Sequence, residues 1–284
     1  MAPTLDEVLA AARAALAESL ALDGRSASLE AQLLLAHALG RPRAWLLAHG
    51  RDKLHAQADR FETLLARRLA GEPMAYILGR REFYGLDLLV TPAVLIPRPE
   101  TELLVELALA HIPDSAPWLV LDLGTGSGAV ALAIARHRPA TRVCAVERAP
   151  DALAVARDNA RRLGLNRVQF LEGAWFAALE PGARFQLIVA NPPYVAQDDP
   201  HLAQGDVRFE PRDALVAGAD GLEALRDIIA GAPQHLLPGA WLLLEHGWDQ
   251  GAACRTLLTQ AGFEAVASHR DLAGQERVSG GRLP

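Results

Sequence analysis

Lysine is almost absent from this chain: of its 28 basic residues only Lys53 is not an arginine. Together with abundant alanine this reflects compositional bias and carries no functional meaning. Cysteine is nearly as scarce, and Cys144 and Cys254 stand too far apart to suggest a disulfide framework or a metal site. No apolar run approaches the roughly 18 residues that a bilayer span requires. Asp6 and Glu7 fall where a signal peptide would carry basic and then apolar residues. An excess of positive charge is missing too. A net charge of −6 argues against a protein that tracks a polyanion, although Arg67, Arg68, Arg80, Arg81 and Arg98 would make a local basic patch if they cluster. Internal repeats and low-complexity tracts are absent. The expectation is a cytoplasmic protein without a metal, built as one large domain or two modest ones.

Residues 1–73 read as a helical domain. Thr4 and Glu7 fit a capping box, and Leu5, Val8, Leu9, Ala12 and Leu16 then share one helical face. A second helix is expected from Ser26 or Ser28 to Gly40, a short third around Trp45, Leu46 and Leu47, and a fourth from Ala56 to Ala70 that buries Phe61, Leu64, Leu65 and Leu69. Acidic and basic residues balance within 1–73, so the net negative charge belongs to the remainder. Residues 74–97 change period: Tyr76-Ile77-Leu78, Glu82-Phe83-Tyr84, a Gly85 turn and Leu86 to Val90 suggest a β-hairpin linker. In Ile96 to Glu102, proline and then carboxylates mark a helix start.

From Trp118 onward, within a domain spanning 98–284, strand and helix patterns alternate, the mark of βαβ units and a mostly parallel sheet. Strands are expected near 118–123, 142–147, 167–171, 185–190, 240–245 and 263–269, with helices over 127–137, 151–163, 220–231 and 249–261. Val195 to Gly218 forms a long loop, a length often tied to function.

Two strand ends carry chemistry. After Leu119 to Leu123 comes Gly124-Thr125-Gly126-Ser127-Gly128, a glycine turn that lets backbone approach a ligand closely. Glu147, 19 residues past Gly128, sits at the tip of the next strand, placed either to accept from both hydroxyls of a ribose or simply to meet solvent. A dinucleotide would rest its pyrophosphate on the helix N-terminus. Asp122, just ahead of the glycines, opposes that, because its carboxylate suits an ammonium group. S-adenosylmethionine has that amine, a ribose and an electrophilic methyl, and is the favoured cofactor. The second strand, Phe185 to Ala190, ends in Asn191-Pro192-Pro193-Tyr194. The prolines stop the ladder and offer carbonyls with no N–H beside them. With the Asn191 side chain they provide acceptors for an –NH2 group, and Tyr194 adds a flat face. The plain alternative is an ordinary turn. His201 and His246 read as structural residues.

The chain resembles the glutamine N5-methyltransferases that modify class I peptide chain release factors, along nearly its whole length. The resemblance rests on the helical domain, the glycine turn and Asn191 to Tyr194. It also includes Gly71-Glu72-Pro73, Arg81-Glu82-Phe83, Leu95 to Glu102, Asp206 to Pro211, Leu244 to Trp248 and Glu276-Arg277-Val278. It implies a Rossmann-like class I methyltransferase sheet in an α/β protein, with a small N-terminal helical substrate-recognition domain joined by a β-hairpin. It also implies S-adenosylmethionine held by Asp122, Gly124 to Gly128, Glu147, Trp175 and Asn191, with S-adenosylhomocysteine as product. Asn191, Pro192, Pro193 and Tyr194 would grip the glutamine of a Gly-Gly-Gln loop, Asn191, Pro192 and Tyr194 serving catalysis and Glu210 making a loop contact. Two positions depart from the family pattern: Glu147 is often aspartate in relatives, and Ala174 stands where many have an acid. Rival readings are glutamine methylation of a ribosomal protein, adenine-N6 methylation of nucleic acid, and a non-catalytic binding module.

Overall fold

The structure, a computed structural model, describes residues 2–55 and 57–284. It divides into two compact units, Met1–Gly79 with Ala203–Phe209, and Arg80–Leu202 with Glu210–Pro284.

The first unit is helical. Helix α1 (Leu5–Leu20) begins at the expected capping box, with the Thr4 N–H donating to Glu7 Oε2 at 2.8 Å. Helix α2 (Gly24–Leu39) starts earlier than either serine, because Asp23 caps the amides of both Arg25 and Ser26. Helices α3 (Arg43–Ala48) and α4 (Ala58–Leu69) follow, and the expected start at Ala56 lies outside the described residues. Leu5, Leu16, Leu34, Leu35, Phe61 and Ile77 make the core, while Leu65 and Leu69 are half-buried. Arg68 is buried between Glu30 and Asp206, a charge whose desolvation is offset by two carboxylates. One expectation is corrected here. Tyr76-Ile77-Leu78 belongs to a helix, α5 (Met74–Leu78), because Pro73 starts a turn that left-handed Gly79 closes.

The hairpin proper is β1 (Arg80–Phe83) and β2 (Leu86–Leu89), antiparallel, with Phe83 opposite Leu86. Tyr84 and Gly85 both take positive φ, 48° and 75°, which a tight two-residue hairpin turn requires. A 3-10 turn, Pro99–Thr101, then leads into α6 (Glu102–His111).

The alternating segment builds β3 (Leu119–Leu123), α7 (Ala129–His137), β4 (Arg142–Glu147), α8 (Pro150–Arg162), β5 (Gln169–Glu172) and β6 (Phe185–Ala190). It continues with α9 (Glu223–Gly231), β7 (Leu236–Glu245), α10 (Gly251–Gln260), β8 (Glu264–Arg270) and β9 (Glu276–Arg282). The strands form a seven-stranded sheet in the order β5-β4-β3-β6-β7-β9-β8, parallel up to β7, with β9 antiparallel to both neighbours. This is a Rossmann-like methyltransferase sheet. Strand β9 carries no alternating signal because Ser279, Gly280 and Gly281 fill its second half. A Cβ on Gly280 would come within 2.5 Å of Leu243 Cδ2, so the close approach of β7 demands glycine. Side chains alternate across the sheet. Val120, Leu187, Val189 and Leu243 face a core that includes α6 and α7, while Leu121, Ile188, Ala190 and Leu244 face α9 and α10. The chain leaves β3 for β4 on one side while β6 lies on the other. The carboxyl ends of β3 and β6 therefore flank a topological switch point, where open α/β sheets bind ligands.

Candidate active site

Leu123 pairs with Ala190, so the glycine turn after β3 and Asn191 after β6 emerge side by side. A cavity of about 280 Å³ opens there. Among the residues singled out in the sequence, Asp122, Gly124, Thr125, Gly126, Ser127, Glu147, Trp175, Asn191 and Pro193 line it; Gly128, Pro192 and Tyr194 do not. Gly128 sits instead behind the turn at φ 84°, where a Cβ would meet Leu132 Cδ1 at 3.0 Å and Ala156 Cβ at 3.3 Å. Its lack of a side chain lets α7 pack.

Period two turns Asp122 toward α7, where its Oδ2 accepts from the Thr125 hydroxyl and from the Ala131 N–H. Burial pushes this carboxyl up to about 7, against those two hydrogen bonds, and the nearby Glu147 charge adds to the rise. A cationic ligand would relieve that penalty. Glu147 is held by its own surroundings: Oε2 accepts from Gly126 N–H at 2.9 Å and Oε1 from Ala149 N–H at 3.0 Å. Each oxygen keeps a further lone pair for a hydroxyl. Trp175 takes a left-handed φ of 46°, a conformation bulky residues avoid. A Cβ on Gly124 would lie 3.3 Å from its Cζ3, so the indole stands directly against the turn, with Ala174 beside it.

Asn191 donates from Nδ2 to Thr101 Oγ1 at 3.1 Å, and its Oδ1 is buried without a partner among the described residues. An orphaned acceptor loses its hydrogen bond with water and gains none in return. Glu245 lies one residue beyond Leu244, which pairs with Ala190, so it stands beside Asn191 at the strand ends. It is 1% exposed, and burial pushes its carboxyl up to about 7 against the Thr101 and Asn191 side chains and Arg277. Burial likewise raises the Tyr194 hydroxyl, and the Tyr194 carbonyl accepts from Gln250 Nε2 at 2.9 Å.

Sequence reasoning counted Thr101 and Glu245 among the stretches that carry the resemblance, read Thr101 as part of a helix start, gave Glu245 no role and passed over Asn159. Asn159 of α8 accepts from Leu89 N–H at 2.6 Å and donates to the carbonyls of Leu89 and Ser127, each at 2.9 Å, tying hairpin to glycine turn. Glu210 accepts from Ile96 N–H and from Arg98, fastening the segment that carries Val94, Leu95 and Pro97 along the cavity. His246 is fully buried, its Nδ1–H donating to the Gly247 carbonyl and its Nε2 bonded to the Ser279 hydroxyl, a structural role as expected. Four of the five arginines considered for a basic patch face carboxylates: Arg67 with Glu72, Arg68 with Glu30 and Asp206, Arg80 with Asp87, and Arg98 with Glu210.

Comparison with known proteins accords with this architecture. Residues 7–79 match the family model of the PrmC N-terminal domain, and residues 100–208 that of the methyltransferase small domain. The chain is 57% identical to the release factor glutamine methyltransferase of Burkholderia pseudomallei, over 90% of this chain and 92% of that protein. With the protein of the same name from Vibrio cholerae it shares 48% identity, over 99% of this chain and 98% of the relative. Among solved structures, a methyltransferase from Pyrococcus furiosus superposes with a TM-score of 0.54 at 19% identity, over 78% of this chain and 98% of that one, a likeness of fold.

Proposed function

The chain belongs to the release factor glutamine methyltransferase family, and on that premise we propose that it transfers a methyl group from S-adenosylmethionine to the side-chain amide nitrogen, N5, of the glutamine in the Gly-Gly-Gln motif of class I release factors. The observation that carries this reading is the orphaned Asn191 Oδ1, a buried acceptor on a wall of the cavity that the glycine turn also lines.

The residues present fit the donor. Asp122 offers a carboxylate to its ammonium group, Glu147 offers free lone pairs to its ribose hydroxyls, and the Trp175 face beside Gly124 suits its adenine. Gly124 to Gly128 give the turn its shape. When bound, S-adenosylmethionine supplies a methyl carbon already activated by a sulfonium. The chain's own task is alignment. An amide nitrogen is a poor nucleophile because its lone pair is shared with the carbonyl. Asn191 Oδ1 and the Pro192 carbonyl accept the two hydrogens of the –NH2, which directs its remaining electron pair at the methyl carbon as conjugation weakens along the reaction. Pro193 lines the cavity beside the amide, and Tyr194, outside that lining, would meet the amide as the acceptor loop enters. Fixing partners in this way is worth up to about 7–11 kcal/mol of barrier. No histidine is needed, and the extra proton passes from the nitrogen to water after transfer. Residues 1–73 serve recognition of the protein substrate.

The test incubates the protein and methyl-labelled donor with a class I release factor, with a version whose Gly-Gly-Gln glutamine is alanine, and with duplex DNA. Label is expected on the first alone. Label on the alanine version or on DNA contradicts the proposal. The carboxylates facing Arg67, Arg68, Arg80 and Arg98 already count against the DNA outcome.

A further inference from the structure

A carboxamide has two ends of nearly equal size and opposite hydrogen-bonding character. Only the oxygen of Asn191 can accept from an –NH2 group; the reversed amide would set N–H against N–H. Something must therefore choose the orientation, and the cavity wall holds the means. Thr101, 3% exposed, accepts from Asn191 Nδ2 at 3.1 Å. Having accepted, its hydroxyl keeps a single proton to donate, and the buried Glu245 carboxyl stands beside both side chains. Carboxylate oxygens only accept, so an ionised Glu245 draws the Thr101 proton and the Asn191 N–H toward itself. The reverse arrangement would point Asn191 Oδ1 at an oxygen acceptor and take a donor from a buried charge.

We propose that Thr101 and Glu245 are positioning residues that hold the Asn191 carboxamide with its oxygen toward the acceptor nitrogen. The inference rests on the glutamine reading above and deepens it. Glu245 is ill suited to a purely stabilising role: it is buried, and its Oε2 has no partner among the described residues. Around it stand Glu100 from the turn ahead of α6, Tyr194 from the loop after β6, and Arg277 from β9. With that carboxyl near 7, protonation in mild acid removes the charge that sets the direction of the Thr101 hydroxyl.

The test measures single-turnover methyl transfer to a release factor at saturating donor, beside calorimetric titration with S-adenosylmethionine. Thr101→Val and Glu245→Gln are expected to slow transfer about a hundredfold while donor affinity stays within about twofold of wild type. Thr101→Ser, which keeps the hydroxyl, restores the rate. Thr101→Val added to Asn191→Ala costs nothing further, because the relay acts through that amide. The wild-type rate rises with pH through about 7 as Glu245 ionises, and Glu245→Gln loses that limb. Wild-type rates in Thr101→Val and Glu245→Gln, or losses that add fully in the double variant, overturn the relay. A wild-type protein that binds donor yet methylates no release factor overturns the glutamine reading, and the relay with it; normal wild-type turnover beside indifferent variants sinks the relay alone.

Discussion

Asp122 and Glu245 are both buried carboxyls pushed up to about 7; Asp122 lines the cavity, and Glu245 stands behind Thr101 and Asn191, which line it. Their effects on stability share a sign. Because burial raises Asp122 above its ordinary 3.8, its stabilising contribution is complete below that value and is lost as pH rises through about 7. A bound ammonium reverses the preference, since it favours the ionised carboxylate. Donor affinity should therefore weaken as pH falls below 7, approaching about tenfold per pH unit. In Asp122→Asn it should be weak and nearly independent of pH. Isothermal titrations between pH 5 and 8, roughly the span that brackets this ionisation, check the point, and a flat wild-type profile would contradict it. Asp122, Glu147 and Asn191 were legible in the sequence because each closes a recognisable strand or turn. Thr101 was not: it meets Asn191 across 90 residues, and no local pattern announces such a contact. Glu245 was named only as part of the Leu244 to Trp248 stretch, and its place beside Asn191 was hidden for the same reason, since only the pairing of β6 with β7 brings it there.

Among elements, β3, β4, β6 and their following helices could be read directly, because buried parallel strands are apolar runs bounded by turns. Helix α5 was misread, since Tyr76 and Ile77 are strand-loving residues whose conformation is decided by Pro73 and Gly79 at either end. Strand β9 was missed because packing against Leu243 selects glycine there, and glycine erases the strand signal. The hairpin was legible, but its tie to the sheet was not. Asn159, fully buried, satisfies both backbone groups of Leu89 and the carbonyl of Ser127. Asn159→Ala would strand those groups at about 1–3 kcal/mol each. A fall of several degrees in Tm is expected by scanning calorimetry, with weaker donor binding because the glycine turn loses its support. An unchanged Tm would show that Asn159 carries no such burden.

Over the whole molecule, two units share one chain. The match to the PrmC N-terminal domain falls within the helical unit, and the match to the methyltransferase small domain falls in the sheet unit as far as Leu202, its last residues belonging to the helical unit. Among the described residues no helix is long and apolar enough to cross a membrane. The acidic balance and the paired arginines favour a protein substrate over a polyanion. The proposed transfer to an intact release factor would draw on every level at once, from the switch point in the sheet to the single oxygen at its edge. The most direct measurement compares wild type with Asn191→Ala in donor dissociation constant and in single-turnover transfer to that factor. Transfer should fall about a hundredfold to a thousandfold, the loss seen when one preorganised polar group is removed from a reacting centre, with donor affinity nearly unchanged. Full transfer by Asn191→Ala, or a loss confined to donor binding, would contradict the account.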